Sequence, residues 1–245
     1  MILGLDVQKV NKKVFFSRLL VLMVLLVTSF STFQISYSAV VAAKVEATIS
    51  LVNSKKNDIS NIAIWLEPVG SAGRLPKQTM PYPTMRQKGK KFIPKVLFIP
   101  NGYYVSFPND DPFPHNVFSP SEVKKFDLGL YQAGDSRDQL MNRVGVVPVY
   151  CNIHPQMKAF VISVKTSYYG LSNENGKVEI DNVPNGKYTL KVWHEKATVE
   201  TLNKLSREVS VTGAGVNLGS IQVDEAGFSS TQHKNKDGKD YSPGL

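Results

Sequence analysis

The stretch Cys151-Asn152-Ile153-His154-Pro155-Gln156-Met157 holds the single cysteine of the chain, one of its four histidines and a methionine within seven residues. A thiolate, an imidazole and a thioether so close together are the ligand types that favour copper. Taken one at a time, Cys151 also reads as a buried inert thiol, His154 as a surface imidazole and Met157 as core filling. A Cys–His nucleophilic pair is disfavoured, because no residue to orient a general base and no oxyanion motif accompanies it. The loop needs one more donor to make a site.

The elements that must position these residues are strands. The apolar run Gly145–Tyr150 precedes the loop and Lys158–Val164 follows it, so Cys151 leaves one strand and Met157 enters the next. The missing donor is His115. It follows the stiff polar loop Pro108-Asn109-Asp110-Asp111-Pro112-Phe113-Pro114 and opens the apolar stretch Asn116-Val117-Phe118, which pins it on both sides. The set is then His115, Cys151, His154 and Met157, with the thioether as a weak axial donor. Methionine favours copper over a structural zinc, which prefers a fourth thiolate, imidazole or carboxylate.

Residues 91–165 resemble the cupredoxins, the blue-copper β-sandwich proteins. Phe113-Pro114-His115-Asn116-Val117 is similar to the plastocyanin stretch around its first histidine ligand, and the short C-x-x-H-x-x-M loop is similar to that of amicyanin. Phe92 through Phe107 resembles the strand pair that precedes the first ligand. The resemblance implies a Greek-key sandwich, one type 1 copper on the four residues, and an Asn116 that ties the two ligand loops together. It also implies a buried His115 and a His154 at the exposed edge through which electrons pass. The stretch from Ser119 to Arg143 departs from the small electron carriers, so their docking surfaces do not transfer.

The rest of the chain reads as all-β. Val45, Ala47, Ile49 and Leu51 alternate with polar residues, and Ile62–Leu66 reads as a second strand. Residues 69–89, rich in Gly and Pro, read as a loop or linker. Residues 199–208 are the best helix candidate after the N-terminal segment and fit strand or loop equally well. Asn175-Gly176-Lys177-Val178-Glu179-Ile180, the turn Val183–Gly186 and Tyr188–His194 together resemble the carboxypeptidase regulatory-like and transthyretin-like sandwiches. That resemblance implies a second small β-sandwich, with Val45–Leu51 and Ile62–Leu66 as its opening strands. The expected organisation is 44–87 and 166–225 as two parts of that sandwich, split by a cupredoxin domain at 88–165. Two consecutive domains are the alternative. The combination is similar to methylamine utilization proteins. His194 reads as a half-exposed strand histidine, with a second metal site or a partner contact as alternatives. Residues 226–245 read as a mobile polar tail, in which His233 has no role.

Charge and the N-terminus bound the setting. Residues 1–43 place Lys9, Lys12, Lys13 and Arg18 ahead of the apolar run Leu19–Val27 and then small residues, the pattern of a secretory signal peptide. Cleavage after Ser38 or after Ala43 fits equally, and an uncleaved membrane anchor is the alternative. The expected location is periplasmic or otherwise extracytoplasmic. The formal charge is +9, densest at Lys88, Lys90, Lys91 and Lys95. No basic stripe with interleaved aromatics is present, so nucleic acid is not an expected partner. The lysines make a solvated face or a docking surface for an acidic protein. The reading is a single-electron carrier, not an enzyme, working with a redox protein such as a cytochrome or dehydrogenase. The alternatives are a copper-delivery protein and a non-catalytic module whose second sandwich docks carbohydrate or protein.

Overall fold

A computed structural model of the chain describes residues 42–70, 75–213, 215–229 and 232–241. The expected signal segment lies outside these residues except for its last two. Ala42 and Ala43 already belong to the first strand, where Ala43 is buried and pairs with Val183. Sixteen strands and one short helix make up the described chain, which is all-β as its alternating apolar pattern predicts.

Nine strands form the sandwich that carries the ligand segments: β3 (Arg86–Gln87), β4 (Phe92–Ile93), β5 (Val96–Pro100), β6 (Tyr103–Pro108), β7 (His115–Ser119), β8 (Phe126–Tyr131), β9 (Ser136–Met141), β10 (Gly145–Tyr150) and β11 (Lys158–Val164). One sheet runs β5-β11-β10-β7-β8, and β6 pairs with β9 opposite it. Met85, Phe107, Val117, Met141, Val147 and Val161 fill the space between. Residues 84–87, expected in a linker, belong here. Met85 is fully buried and Gln87 pairs with Phe92. Their strand is only two residues long, too short to leave an alternating pattern.

The second sandwich draws strands from both sides of the first. β1 (Ala42–Val52) lies between β13 (Lys177–Pro184) and β16 (Gly215–Asp224), antiparallel to the former and parallel to the latter. β2 (Ala63–Pro68), β12 (Tyr169–Leu171), β14 (Gly186–Trp193) and β15 (Arg207–Val211) form its other sheet, in the order β12-β2-β14-β15. Val45, Ala47 and Ile49 point inward from β1, as their alternation requires, and meet Ile64, Leu66, Val178 and Leu190. α1 (Val199–Leu205) is a helix of 7 residues capped by Thr198, whose hydroxyl accepts from the Thr201 N–H. It buries no residue, which is why no apolar period marks it in the sequence.

The sandwiches meet face to face. Val96, Phe98, Phe160, Ile162 and Val164 of the first pack with Ala63 of the second, flanked by Trp65, Tyr169 and Trp193. Phe98 stacks on Tyr169 at 4.5 Å and Phe160 lies 4.6 Å from Trp193. Glu195 closes the edge with Lys95 at 3.1 Å and Lys158 at 3.6 Å.

Candidate metal centre

The antiparallel pairing of β10 with β11 brings Tyr150 opposite Lys158, so the seven residues of the cysteine loop must turn back within that gap. The loop closes on its own backbone. Met157 N–H donates to the His154 carbonyl at 2.9 Å, and Cys151 N–H donates to the Met157 carbonyl at 3.2 Å. Pro155 supplies a fixed φ inside this turn. His115 opens β7, which lies between β10 and β8 in the same sheet. The Pro108–Pro114 loop ahead of it is folded by Asn109, whose Nδ2 donates to the Phe113 carbonyl and whose Oδ1 accepts from the Asp111 N–H.

Three of the four expected donors converge. His115 Nδ1 lies 3.7 Å from Cys151 Sγ, His154 Nδ1 lies 3.8 Å from the same sulfur, and the two Nδ1 atoms are 3.1 Å apart. A circle through atoms so spaced has a radius of about 2.1 Å, close to the lengths at which imidazole nitrogen and thiolate sulfur bind a divalent metal. It is the one group of three or more His, Cys, Asp or Glu donors so gathered among the described residues. His115 and Cys151 are fully buried and His154 is partly exposed. Met157 is buried in the same apolar cluster as Cys151.

The electrostatics prepare thiolate and imidazole to act as donors. Burial pushes the Cys151 thiol up, but the His115 ring and the backbone N–H groups of Asn116, Ile153 and His154 outweigh it and leave the thiol below its ordinary pKa. Burial lowers the pKa of His154, and the neighbouring His115 and Lys90 lower it further, which favours the neutral ring. Burial also acts to lower the pKa of His115, yet Cys151 and Asp111 hold it above the usual value. Asn116 ties the two ligand segments through its backbone N–H, whereas its side chain donates to Asp127 Oδ1 at 2.6 Å.

Asp111, in sequence simply one residue of a polar loop, has a place in the site. Its Oδ2 lies 2.8 Å from His115 Nε2, and its two oxygens also accept from Gly89 N–H at 2.6 Å and Lys90 N–H at 2.9 Å. Burial works against the charged carboxyl, but these donors hold its pKa below the ordinary value. With its Nε2–H donated to a carboxylate, His115 has its Nδ1 lone pair free for a metal. The spacing Asp111-x-x-x-His115 was the available signal.

Two further histidines fall elsewhere than expected. His194 is buried, not half-exposed, with Nε2 2.9 Å from Glu225 Oε1. No third donor joins them in a metal-sized group among the described residues. His233 does not hang in a free tail. Its ring stacks on Tyr150 at 3.9 Å and its Nε2 donates to the Pro155 carbonyl at 2.9 Å. A tail without contacts is what polar composition predicts, and composition is blind to two aromatic rings spaced to grip a loop.

No protein-family model matches the chain, and no curated protein does either. Solved structures resemble part of it. A purple cupredoxin from Nitrosopumilus maritimus is 24% identical with a TM-score of 0.31, covering 34% of this chain and 99% of that one. A copper-containing nitrite reductase from Thermus scotoductus SA-01 is 24% identical with a TM-score of 0.34, covering 41% of this chain and 26% of that one. A reduced form of an amicyanin variant is 18% identical with a TM-score of 0.33, covering 36% of this chain and 87% of that one.

Proposed function

We propose that this protein, a cupredoxin-like β-sandwich joined to a second β-sandwich, binds one copper ion and passes single electrons between redox partners outside the cytoplasm. The observation that supports this reading is the convergence of His115 Nδ1, Cys151 Sγ and His154 Nδ1 around one point. Two imidazoles and a thiolate with a methionine beside them suit copper in both of its common oxidation states, because a trigonal set changes little when the charge changes. Bound copper would supply a one-electron couple.

The chain's own residues do the rest. Asp111 holds the His115 ring by its far nitrogen, and the N–H groups of Asn116, Ile153 and His154 stabilise the thiolate. Met157, buried in the same cluster as Cys151, would be the fourth and weakest donor to the metal. His154, the partly exposed donor, is the edge at which a partner exchanges electrons. Phe113 packs against both imidazoles, 5.2 Å from His115 and 5.7 Å from His154, and limits water there. The carrier reading is preferred to an enzyme, and the second sandwich, regulatory-like in its Asn175–Trp193 pattern, serves as a frame or docking module. The redox partner is a cytochrome or a dehydrogenase, the latter in keeping with the similarity to methylamine utilization proteins.

The absorption spectrum of the copper-loaded protein tests the reading. An intense visible band from cysteine-to-copper charge transfer, abolished in Cys151→Ser, is the expected result. Stoichiometric binding of Cu(I) without such a band would favour a delivery protein. Failure to bind copper at all would sink both and leave a structural binding module.

A further inference from the structure

Residues 232–241 lie against the cysteine loop and reach the His115 segment only through Asp127. Tyr241 Oη donates to the Cys151 carbonyl at 2.8 Å. Lys236 N–H donates to Asn152 Oδ1 at 2.9 Å, and His233 Nε2 to the Pro155 carbonyl at 2.9 Å. On the other side, Lys236 Nζ reaches Asp127 at 3.8 Å, the carboxylate that receives the Asn116 side chain. The His233 ring sits between Tyr150, at 3.9 Å and nearly parallel, and Tyr241, at 5.3 Å and edge-on.

The segment is also ordered within itself. Asn235 Oδ1 accepts from the N–H groups of Asp237 and Lys239, Asn235 N–H donates to the Lys239 carbonyl, and Lys234 pairs with Asp240 at 2.6 Å. Gly238 takes a φ of 75° in this turn, which a side chain would strain. A folded turn presents His233 and Tyr241 together at a smaller entropic cost than a disordered tail would.

We infer that residues 232–241 form a strap that positions the copper-ligand loop, with Tyr241 fixing the Cys151 peptide and His233 holding Tyr241 in place. The inference rests on the proposed copper site for its purpose but not for its geometry. The Cys151 backbone is gripped on both sides of its Cα, its N–H by the Met157 carbonyl and its carbonyl by Tyr241. The β10–β11 hairpin alone supplies only the first grip. The strap also covers Tyr150, the residue before the thiolate, and so leaves the His154 edge as the open approach. Tyr241 makes no hydrogen bond or ring contact with His115 or His154 and is a positioning residue.

The test uses the full chain without metal, so that its outcome is independent of whether copper binds. Hydrogen exchange of the 151–158 amides and the rate of Cys151 modification by a thiol reagent are measured in wild type, in Tyr241→Phe and in a chain ending at residue 231. Tyr241→Phe keeps the ring but loses the bond to the Cys151 carbonyl and the hydroxyl contact with His233 Nδ1 at 3.2 Å, so loop exchange and thiol modification rise at least about fivefold, while amides of β1 and β13 stay unchanged. The truncated chain shows a larger rise confined to the same residues. In the copper-loaded form the reduction potential shifts in both variants. Unchanged exchange and thiol reactivity in both variants would overturn the inference. A parallel rise at all amides would do so too, since it would show general destabilisation. Absence of copper binding with a selective rise in loop exchange would instead remove the electron-carrier reading and leave the strap standing.

Discussion

Asp111 illustrates how a single carboxylate can decide the behaviour of a donor it does not replace. It accepts from three N–H groups with two oxygens, and an amide in its place offers only one acceptor oxygen. Asp111→Asn therefore leaves at least one donor unpaired, and copper affinity falls by about 10- to 100-fold, as read by competition with a chelator. Unchanged affinity would mean that the ring is oriented by packing alone. Met157 tests the other side of the centre. Met157→Leu keeps the visible band and raises the reduction potential, because loss of a weak donor disfavours the oxidised ion. An unchanged potential in direct voltammetry would show that the thioether is not axial. At this scale the sequence was informative where donor chemistry is local. Cys151 and His154 share one short loop, and prolines frame His115. Asp111, Tyr241 and His233 escaped because their roles depend on what lies across space from them. An aspartate beside prolines looks like any loop residue until the ring it faces is known.

Among the elements, β1 and β13 carry a charged outer face whose pH response follows from its geometry. Glu46 and Glu179 lie directly opposite across the two strands, an arrangement that repels unless it is bridged. Lys177 reaches both, at 3.3 and 2.5 Å, and Lys44 reaches Glu179 at 2.8 Å. Lys177 and then Lys44 hold the Glu179 carboxyl down at about 2. A depressed folded pKa gives a stabilising contribution that is complete above the ordinary value of 4.5 and is lost as pH falls toward about 2. The melting temperatures of wild type and Glu179→Gln should therefore converge on acidification through that window. The difference is small because all these groups face solvent. A gap that stays constant down to pH 2 would mean that the lysines do not act through charge. These strands were legible from the alternation Val45, Ala47, Ile49 and Leu51, since one buried face imposes a period of two. β3 was not, because two residues cannot show a period, and α1 was legible only as a helix candidate that fitted strand or loop equally, because a helix that buries nothing has no apolar stripe.

In the whole molecule, the two sandwiches share an aromatic seam, and Phe98 is its centre, stacked on Tyr169 and edge-on to Trp65 at 6.0 Å. Phe98→Ala removes a ring buried between the sheets at a cost of about 3–5 kcal/mol. The expected calorimetric result is one unfolding transition in wild type and two in the variant. A single transition at an unchanged midpoint would show that the sandwiches are not coupled through the seam. The seam could not be read from sequence, because strands buried on both faces lose their alternation and β5 and β11 present plain apolar runs. The pairing of β1 with β13 and β16 has a consequence for how the chain must be made. β1 emerges from synthesis ahead of every other strand described, yet its partners lie roughly 130–140 and 170 residues later, a separation that slows folding. In the interval it presents unpaired N–H and C=O groups along an open edge, the form of backbone that recruits other chains. The inner sandwich is complete in sequence by Val164, ahead of both partners of β1. The three donors thus all precede β13 and β16 in the chain, and the strap that grips Cys151 is the last part of the described chain to be made.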